Sequence, residues 1–230
     1  MTALRLLGIG PARSLPAGSL ALSNGLAAAI APSVPDRDVA AVRAHHRAIV
    51  ALCRRDRFLP APLGVDFPSA AALREALARL EPGLPTDIEW LGERVEWSMR
   101  LDLKAEDPDP SLGPGRAFLA QSRAASAARA VLERLVAAWP VVPEGAEIAS
   151  AARLDDSGRL RVSLLIARGT ARERVEAVGR CLLAQAATGA QVAALPNHAL
   201  TFVGPWPPYA FAALRSRLGL ATEGPADDAA

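Results

Sequence analysis

The side chains best able to act as bases or metal ligands are three histidines, His45, His46 and His198, and two cysteines, Cys53 and Cys181. Neighbouring residues on a helix point about 100° apart, so His45 and His46 do not readily share a metal ion. His46 and Cys53 share one helix face but lie two turns apart, which is too far for joint ligation. The pattern favours an exposed His45 beside a partly buried His46, with no catalytic or metal-binding role for either.

Two glycine clusters have the composition of phosphate-binding turns, because glycine lets backbone N–H groups approach an anion. Gly8–Gly10 is followed by Pro11 and lacks the third glycine of a dinucleotide-binding fingerprint. Gly113–Arg116 precedes a predicted helix, but Pro114 removes one N–H donor. A structural turn is the favoured interpretation of both clusters. Binding of a small molecule or a nucleotide phosphate at Gly113–Arg116 is the alternative function.

The segment Gly204–Phe211 (GPWPPYAF) contains the single tyrosine, one of four tryptophans and one of five phenylalanines. Proline fixes the backbone, so rings held there lose little entropy when they contact another surface. The segment has two interpretations: a rigid corner that packs Trp206 against the end of a sheet, or a contact surface for a partner protein. The residues expected to bind a partner are Trp206, Pro207, Pro208, Tyr209 and Phe211.

The composition predicts an ordinary globular protein: 230 residues, 51% hydrophobic and 22% charged, with a formal net charge of +2. A charge this close to zero argues against nucleic acid as a partner, and the predicted strand Arg159–Ala167 carries no aromatic residue for stacking on RNA. The aliphatic stretch Val162–Ala167, which has one serine in it, is far shorter than the roughly 20 residues of a membrane span. No signal peptide is recognisable near Met1. We therefore expect a cytoplasmic protein with reduced thiols and without membrane or nucleic-acid partners.

The N-terminal part of the chain predicts a small α+β domain over residues 1–92. Its signals are short apolar runs that predict strands, apolar residues at helical spacing, and a Ser or Thr at helix starts. The predicted elements are strands Ala3–Ile9 and Leu26–Ala31, a helix from Asp36 to near Phe58, a helix capped by Ser69, and a short helix opened by the capping box Thr86–Glu89.

The remainder predicts a second domain over residues 93–218, followed by a disordered tail at residues 219–230. Strict alternation in Arg94–Leu103 is typical of a half-buried strand, and Asp155–Gly158 is a good hairpin turn. The order strand, helix, strand, strand, helix, strand is that of a ferredoxin-like domain ending in GPWPPYAF. The other predicted elements are helix Arg116–Trp139, strands Ile148–Leu154 and Leu160–Ala167, a helix from the capping box Thr170–Glu173 to Gly189, and strand His198–Val203.

The segment GPWPPYAF resembles the C-terminal signature of the gas vesicle protein GvpL/GvpF family. One departure from the family pattern is that Pro62 and Leu63 stand where an Arg-Phe pair is usual. Weaker matches follow in the family's order over nearly the whole chain: Leu6–Ile9, Asn24–Ala28, His45–Phe67, Arg94–Trp97 and Gly115–Leu119.

This resemblance implies a two-domain protein with a ferredoxin-like part that acts as an accessory component in gas vesicle assembly. It implies contact with the small, hydrophobic major shell protein and with other accessory proteins during nucleation, in the cytoplasm or at the vesicle. It implies no catalysis, and no cofactor or metal ion is expected. A very apolar shell subunit must be kept from aggregating, and rigid aromatic surfaces or exposed strand edges suit that contact.

Overall fold

The computed structural model describes residues 3–33, 38–103, 111, 113–141, 148–155, 157–192, 198–212 and 214–218. It is an α+β structure with two antiparallel sheets, as the sequence predicts. The chain divides into two compact units: Met1–Val95 with Trp206–Ala230, here the first unit, and Glu96–Pro205, the second unit. The residues from Trp206 onwards thus group with the N-terminal residues, although the sequence places them in the C-terminal domain. The expected disordered tail, 219–230, lies outside the described residues.

The sheet of the first unit is built around one long hairpin-like pair of strands. Its strands are β1 (Leu4–Pro11), β2 (Leu20–Ala21), β3 (Leu26–Pro32), β4 (Leu59–Pro60) and β5 (Asp66–Phe67). The order is β2-β3-β1-β4, and β5 also pairs with β1. β1 and β3 are antiparallel, from Leu4 opposite Pro32 to Pro11 opposite Leu26. The proline-rich stretch after residue 58 supplies only two-residue strands to the other edge of β1, since proline cannot donate to a ladder.

The helices are α1 (Val39–Arg55), α2 (Ala70–Ala78), α3 (Leu84–Leu91), α4 (Pro114–Ala137), α5 (Arg172–Gly189), α6 (Tyr209–Ala212) and α7 (Leu214–Arg217). A side chain caps the start of α1 (Asp38) and of α2 (Ser69), whereas α3, α4 and α5 begin without a side-chain cap. The predicted Ser69 cap is confirmed, because its Oγ accepts a hydrogen bond from the Ala72 N–H at 3.2 Å. The two predicted capping boxes are wrong. Thr86 lies inside α3, and the Thr170 Oγ1 donates to the carbonyl of Ala167 at 2.8 Å instead.

The core of the first unit lies between α1 and the sheet. A cluster of buried apolar residues holds them together: Leu7, Ala29, Ile49, Leu52 and Phe58. Tyr209, from the far end of the sequence, packs against the same cluster. Burial of these side chains, at about 25 cal/mol for each Å² of apolar surface, is what fixes α1 on the sheet.

The second unit contains one sheet, formed by β6 (Arg94–Leu103), β7 (Ala149–Leu154), β8 (Leu160–Ala167) and β9 (His198–Trp206) in the order β7-β8-β6-β9. The predicted hairpin is confirmed: β7 and β8 are antiparallel, with Leu154 opposite Leu160. The Asp155 Oδ1 accepts hydrogen bonds from the backbone N–H groups of Ser157 and Arg159, at 3.0 and 2.9 Å. A side chain that replaces backbone partners in this way stabilises a tight turn.

The close approach of α5 to the sheet depends on a glycine. A Cβ atom on Gly179 would lie 2.6 Å from the Phe202 ring and 3.0 Å from the Met99 Sδ. Arg172 also ties α5 to β9, because its Nη2 donates to the carbonyl of Phe202 at 3.0 Å. Among the described helices, none has the length and hydropathy to span a membrane.

Candidate partner-binding site

The segment Gly204–Phe211, here the proline-aromatic segment, begins at a point where only glycine fits. A Cβ atom on Gly204 would lie 2.9 Å from the Trp97 ring, and the backbone at Gly204 has a φ of +155°. The following peptide bond to Pro205 is cis. Glycine is therefore required for β9 to pass over Trp97 within the second unit.

Two rings of the segment are held by one histidine of the first unit. His46 meets the Trp206 ring edge-on, with ring centroids 5.3 Å apart, a favourable geometry for aromatic groups. The Tyr209 Oη lies 3.2 Å from the His46 Nδ1, within hydrogen-bonding distance. Burial lowers the pKa of His46, which favours the neutral ring in this contact. His46 thus positions both Trp206 and Tyr209.

The end of the segment is fixed against α3. The Phe211 ring lies 6.2 Å from the Trp90 ring, centroid to centroid, and the Arg94 guanidinium lies 5.9 Å from the centroid of the same Trp90 ring. Pro207 and Pro208 are buried, and the carbonyl of Pro208 accepts a hydrogen bond from the N–H of Ala212 at 3.0 Å. The prolines therefore anchor the start of α6.

Trp206 and Tyr209 contact His46 and Phe211 contacts Trp90, all within the first unit, and each of the three rings is half-buried. Pro205 and Ala210 are the exposed positions of the segment. The outward faces of the rings, with Ala210, are what a partner of the first unit would meet. Partner binding by Trp206, Pro207, Pro208, Tyr209 and Phe211 stays a prediction; the two prolines are buried and support the rings.

The prediction of an exposed His45 is wrong. His45 is 3% exposed and lies on the buried face of α1 with Ile49 and Leu52. The buried face of α1 is therefore shifted by about one residue from the apolar face that the sequence spacing predicts. The His45 Nε2 lies 3.0 Å from the carbonyl oxygen of Ala61 and donates to it, because a carbonyl only accepts.

His45 belongs to a buried polar group with Arg5 of β1 and Asp66 of β5, which are paired across the sheet. Arg5 is 8% exposed, and among the described residues its Nε and Nη1, like the His45 Nδ1 and the Asp66 Oδ1, find no hydrogen-bond partner. Burial lowers the pKa of His45; the bond to Ala61 opposes this shift, the Arg5 charge adds to it, and the Asp66 charge opposes it. His45 is therefore a neutral hydrogen-bond donor in the folded protein at neutral pH.

The buried His45 predicts a loss of stability at mildly acidic pH. Because its pKa is lower in the folded state than the ordinary value of 6.5, the unfolded chain binds the proton first. The contribution of His45 to the free energy of unfolding should be constant well above pH 6.5 and fall as the pH drops below it, by at most about 1.4 kcal/mol per pH unit for one proton. His46, whose pKa burial also lowers, adds to the slope in the same direction. Urea titrations from pH 8 to pH 5 measure this slope.

His45→Gln is the matched control, because an amide retains a donor for the Ala61 carbonyl without titrating. Its profile should be flatter than that of the wild type over the same range. Identical slopes for the two proteins would contradict the assignment of the effect to His45.

The other candidate residues are not brought together. Gly113 and Gly115 are exposed, and among the described residues no atom beyond the neighbouring backbone lies within 4 Å of a Cβ built on either one. Phosphate binding at Gly113–Arg116 stays a prediction. Within the described ranges, no three His, Cys, Asp or Glu side chains cluster closely enough to hold a metal ion. The sequence names His46 but gives no sign of its contacts with Trp206 and Tyr209, since periodicity shows which helix face is apolar but not which distant ring covers it.

Comparison with known proteins gives one consistent result. The family model described as gas vesicle synthesis protein GvpL/GvpF matches residues 8–213. The crystal structure of the gas vesicle protein GvpF from Anabaena sp. PCC7120 superposes with a TM-score of 0.55 at 12% identity, covering 92% of this chain and 98% of that one. GvpF from Microcystis aeruginosa gives a TM-score of 0.54 at 13% identity, covering 92% and 99%. Comparison with curated protein sequences gives no match.

Proposed function

Because the chain belongs to the gas vesicle synthesis protein GvpL/GvpF family, we propose that it is an accessory protein of gas vesicle assembly that binds the hydrophobic major shell protein. In this role it acts during vesicle nucleation, in the cytoplasm or at the growing vesicle, together with other accessory proteins. The proposal includes no catalytic step and no cofactor.

The observation that carries the proposal is the family match over residues 8–213, which includes the proline-aromatic segment. The fold shared with two GvpF structures supports it over more than nine-tenths of the chain. Such a protein is needed because an apolar shell subunit that has not yet assembled exposes surface that aggregates unless another protein covers it.

For the second unit we propose a ferredoxin-like arrangement. Its elements follow the order β6, α4, β7, β8, α5, β9, and its sheet has the order β7-β8-β6-β9. Numbered within the unit, the sheet order is 2-3-1-4, which places β8 between β6 and β7, the two strands that α4 connects. This combination of chain order and sheet order supports the split βαβ assignment.

For the first unit we propose that the outward faces of Trp206, Tyr209 and Phe211 contact the shell protein. Rings held by His46 and Trp90 lose little entropy on binding, which favours a contact surface. Aromatic residues are also enriched where proteins bind one another.

Removing this gene from its own host is expected to abolish gas vesicles, because nucleation would lack the protein that holds the shell subunit. The measurement is light scattering that disappears when pressure collapses the vesicles, with electron microscopy as confirmation. Returning the gene should restore the signal. Normal vesicle numbers in the deletion strain would contradict the proposed function.

A further inference from the structure

The first half of α4, in the second unit, carries two large apolar side chains that are exposed to solvent. Phe118 is 69% exposed and Leu119 is 56% exposed, although the chain contains only five phenylalanines. Ser122 and Ser126 continue the same exposed side of the helix, where the Ser126 Oγ donates to the carbonyl of Ser122 at 3.0 Å. These four residues, with Arg116 and Arg123 beside them, are here the α4 outer face.

The inner side of the same helix half explains why this face is turned outwards. The half-buried positions recur every three to four residues and are small: Ala117, Ala120, Ala124 and Ala128. Alanine lets the helix lie close to its neighbours, whereas Phe118 and Leu119 sit on the opposite side. Two adjacent large apolar residues that lie outside such a seam and are mostly exposed contribute little to packing within the described part of their unit.

The charged residues of the α4 outer face are all basic. The first carboxylate of α4 is Glu133, which pairs with Arg129 at 2.9 Å. Arg116 and Arg123 are exposed and form no ion pair with another residue in the described part of the chain. Two copies of the face would therefore repel each other, while a partner with carboxylates would be attracted.

We propose that the α4 outer face binds an amphipathic segment of another gas vesicle component, in which apolar side chains are flanked by carboxylates. The apolar residues of that segment cover Phe118 and Leu119, and its carboxylates pair with Arg116 and Arg123. This inference rests on the proposed function and gives one of its partners a chemistry and a place on the second unit.

The first test uses two synthetic amphipathic peptides with identical leucine positions, one with flanking glutamates and one with flanking lysines. The full-length protein should bind the glutamate peptide, measured by fluorescence anisotropy, and should not bind the lysine peptide. Raising the salt from about 50 to 300 mM should weaken this binding, since exposed charges are screened. Equal binding of both peptides, or binding of neither, would overturn the proposal.

Two double variants locate the contact. Phe118→Ser with Leu119→Ser removes the apolar part, and Arg116→Glu with Arg123→Glu reverses the charge; each should weaken binding of the glutamate peptide about tenfold. Arg54→Glu with Arg174→Glu makes the same change in net charge at exposed positions elsewhere and should bind like the wild type. All of these residues are exposed, so circular dichroism and thermal unfolding should be unchanged. If the first two variants bind the glutamate peptide as tightly as the wild type, the α4 outer face is not the binding surface.

The last arm separates this inference from the proposed function. In the deletion strain, the wild-type gene and the Arg54→Glu, Arg174→Glu control should restore vesicles, and the two α4 variants should not. Full restoration by the α4 variants would refute the inference and leave the proposed function standing, whereas normal vesicles in the deletion strain itself would refute the function. A concentration-dependent dimer that disappears with Phe118→Ser would show that a second copy, not an acidic partner, covers the face.

Discussion

Gly8→Ala is expected to lower the free energy of unfolding of the first unit by about 4 kcal/mol, the largest effect of any added methyl group in β1. A Cβ atom at this position would lie 2.3 Å from the carbonyl oxygen of Leu59 and 2.5 Å from the Phe58 ring. The backbone at Gly8 also has a φ of +150°, beside a register shift in the pairing of β1 with β3. Urea denaturation of the full chain measures the loss.

Gly25→Ala is the matched control, because Gly25 also has a positive φ but no atom lies within 4 Å of its Cβ position. It should cost only the backbone strain, about 1 kcal/mol. Trimming the ring in Gly8→Ala, Phe58→Ala should not rescue stability, since the nearest obstacle is the backbone oxygen of Leu59. Equal losses for Gly8→Ala and Gly25→Ala would show that the close approach to Leu59 is unimportant.

Gly8 also shows which structural features can be predicted from the sequence and which cannot. The sequence presents Gly8 as part of a strand end with a possible phosphate turn. Its role as the point where β1 passes the chain at Leu59 depends on a contact between residues about fifty positions apart. No local pattern encodes such a contact, because strand pairing is set by tertiary packing.

Several predictions made from local sequence patterns are confirmed. The alternation in Arg94–Leu103 predicted β6 residue for residue, the Asp155 turn predicted the β7–β8 hairpin, and Ser69 predicted the start of α2. Each of these depends on residues within a few positions of one another. The capping box predicted at Thr170 does not form, because the Thr170 hydroxyl donates to the carbonyl of Ala167 instead.

The candidate site was less predictable, because its residues come from both ends of the chain. The sequence singled out Trp206 and Tyr209 as rare rings but gave no sign of their contacts with His46, which lies more than a hundred residues earlier. The predicted rigid corner and the predicted contact surface are also compatible with each other. Half-buried rings pack against the fold with part of their surface and leave the rest exposed.

Trp206→Ala with Tyr209→Ala is expected to lower the free energy of unfolding by about 3 kcal/mol and to reduce capture of the shell protein about tenfold. The two losses should not be additive over the single variants, because both rings contact His46. Urea denaturation gives the first quantity, and retention of co-expressed shell protein by the tagged full chain gives the second. Reduced capture by this variant alone would not separate a lost contact from a loosened fold.

Ala210→Glu separates these causes, because Ala210 is the exposed position between Tyr209 and Phe211. A carboxylate there adds charge and bulk to the surface without removing a buried ring, so stability should change by less than about 0.5 kcal/mol. If the rings bind the shell protein, capture should fall, because an apolar partner would have to desolvate the charge. Ala71→Glu places the same change on the exposed side of α2 and should capture normally. Undiminished capture by Ala210→Glu, with a destabilised Trp206→Ala, Tyr209→Ala variant, would mean that the proline-aromatic segment is a structural corner and that the shell protein binds elsewhere.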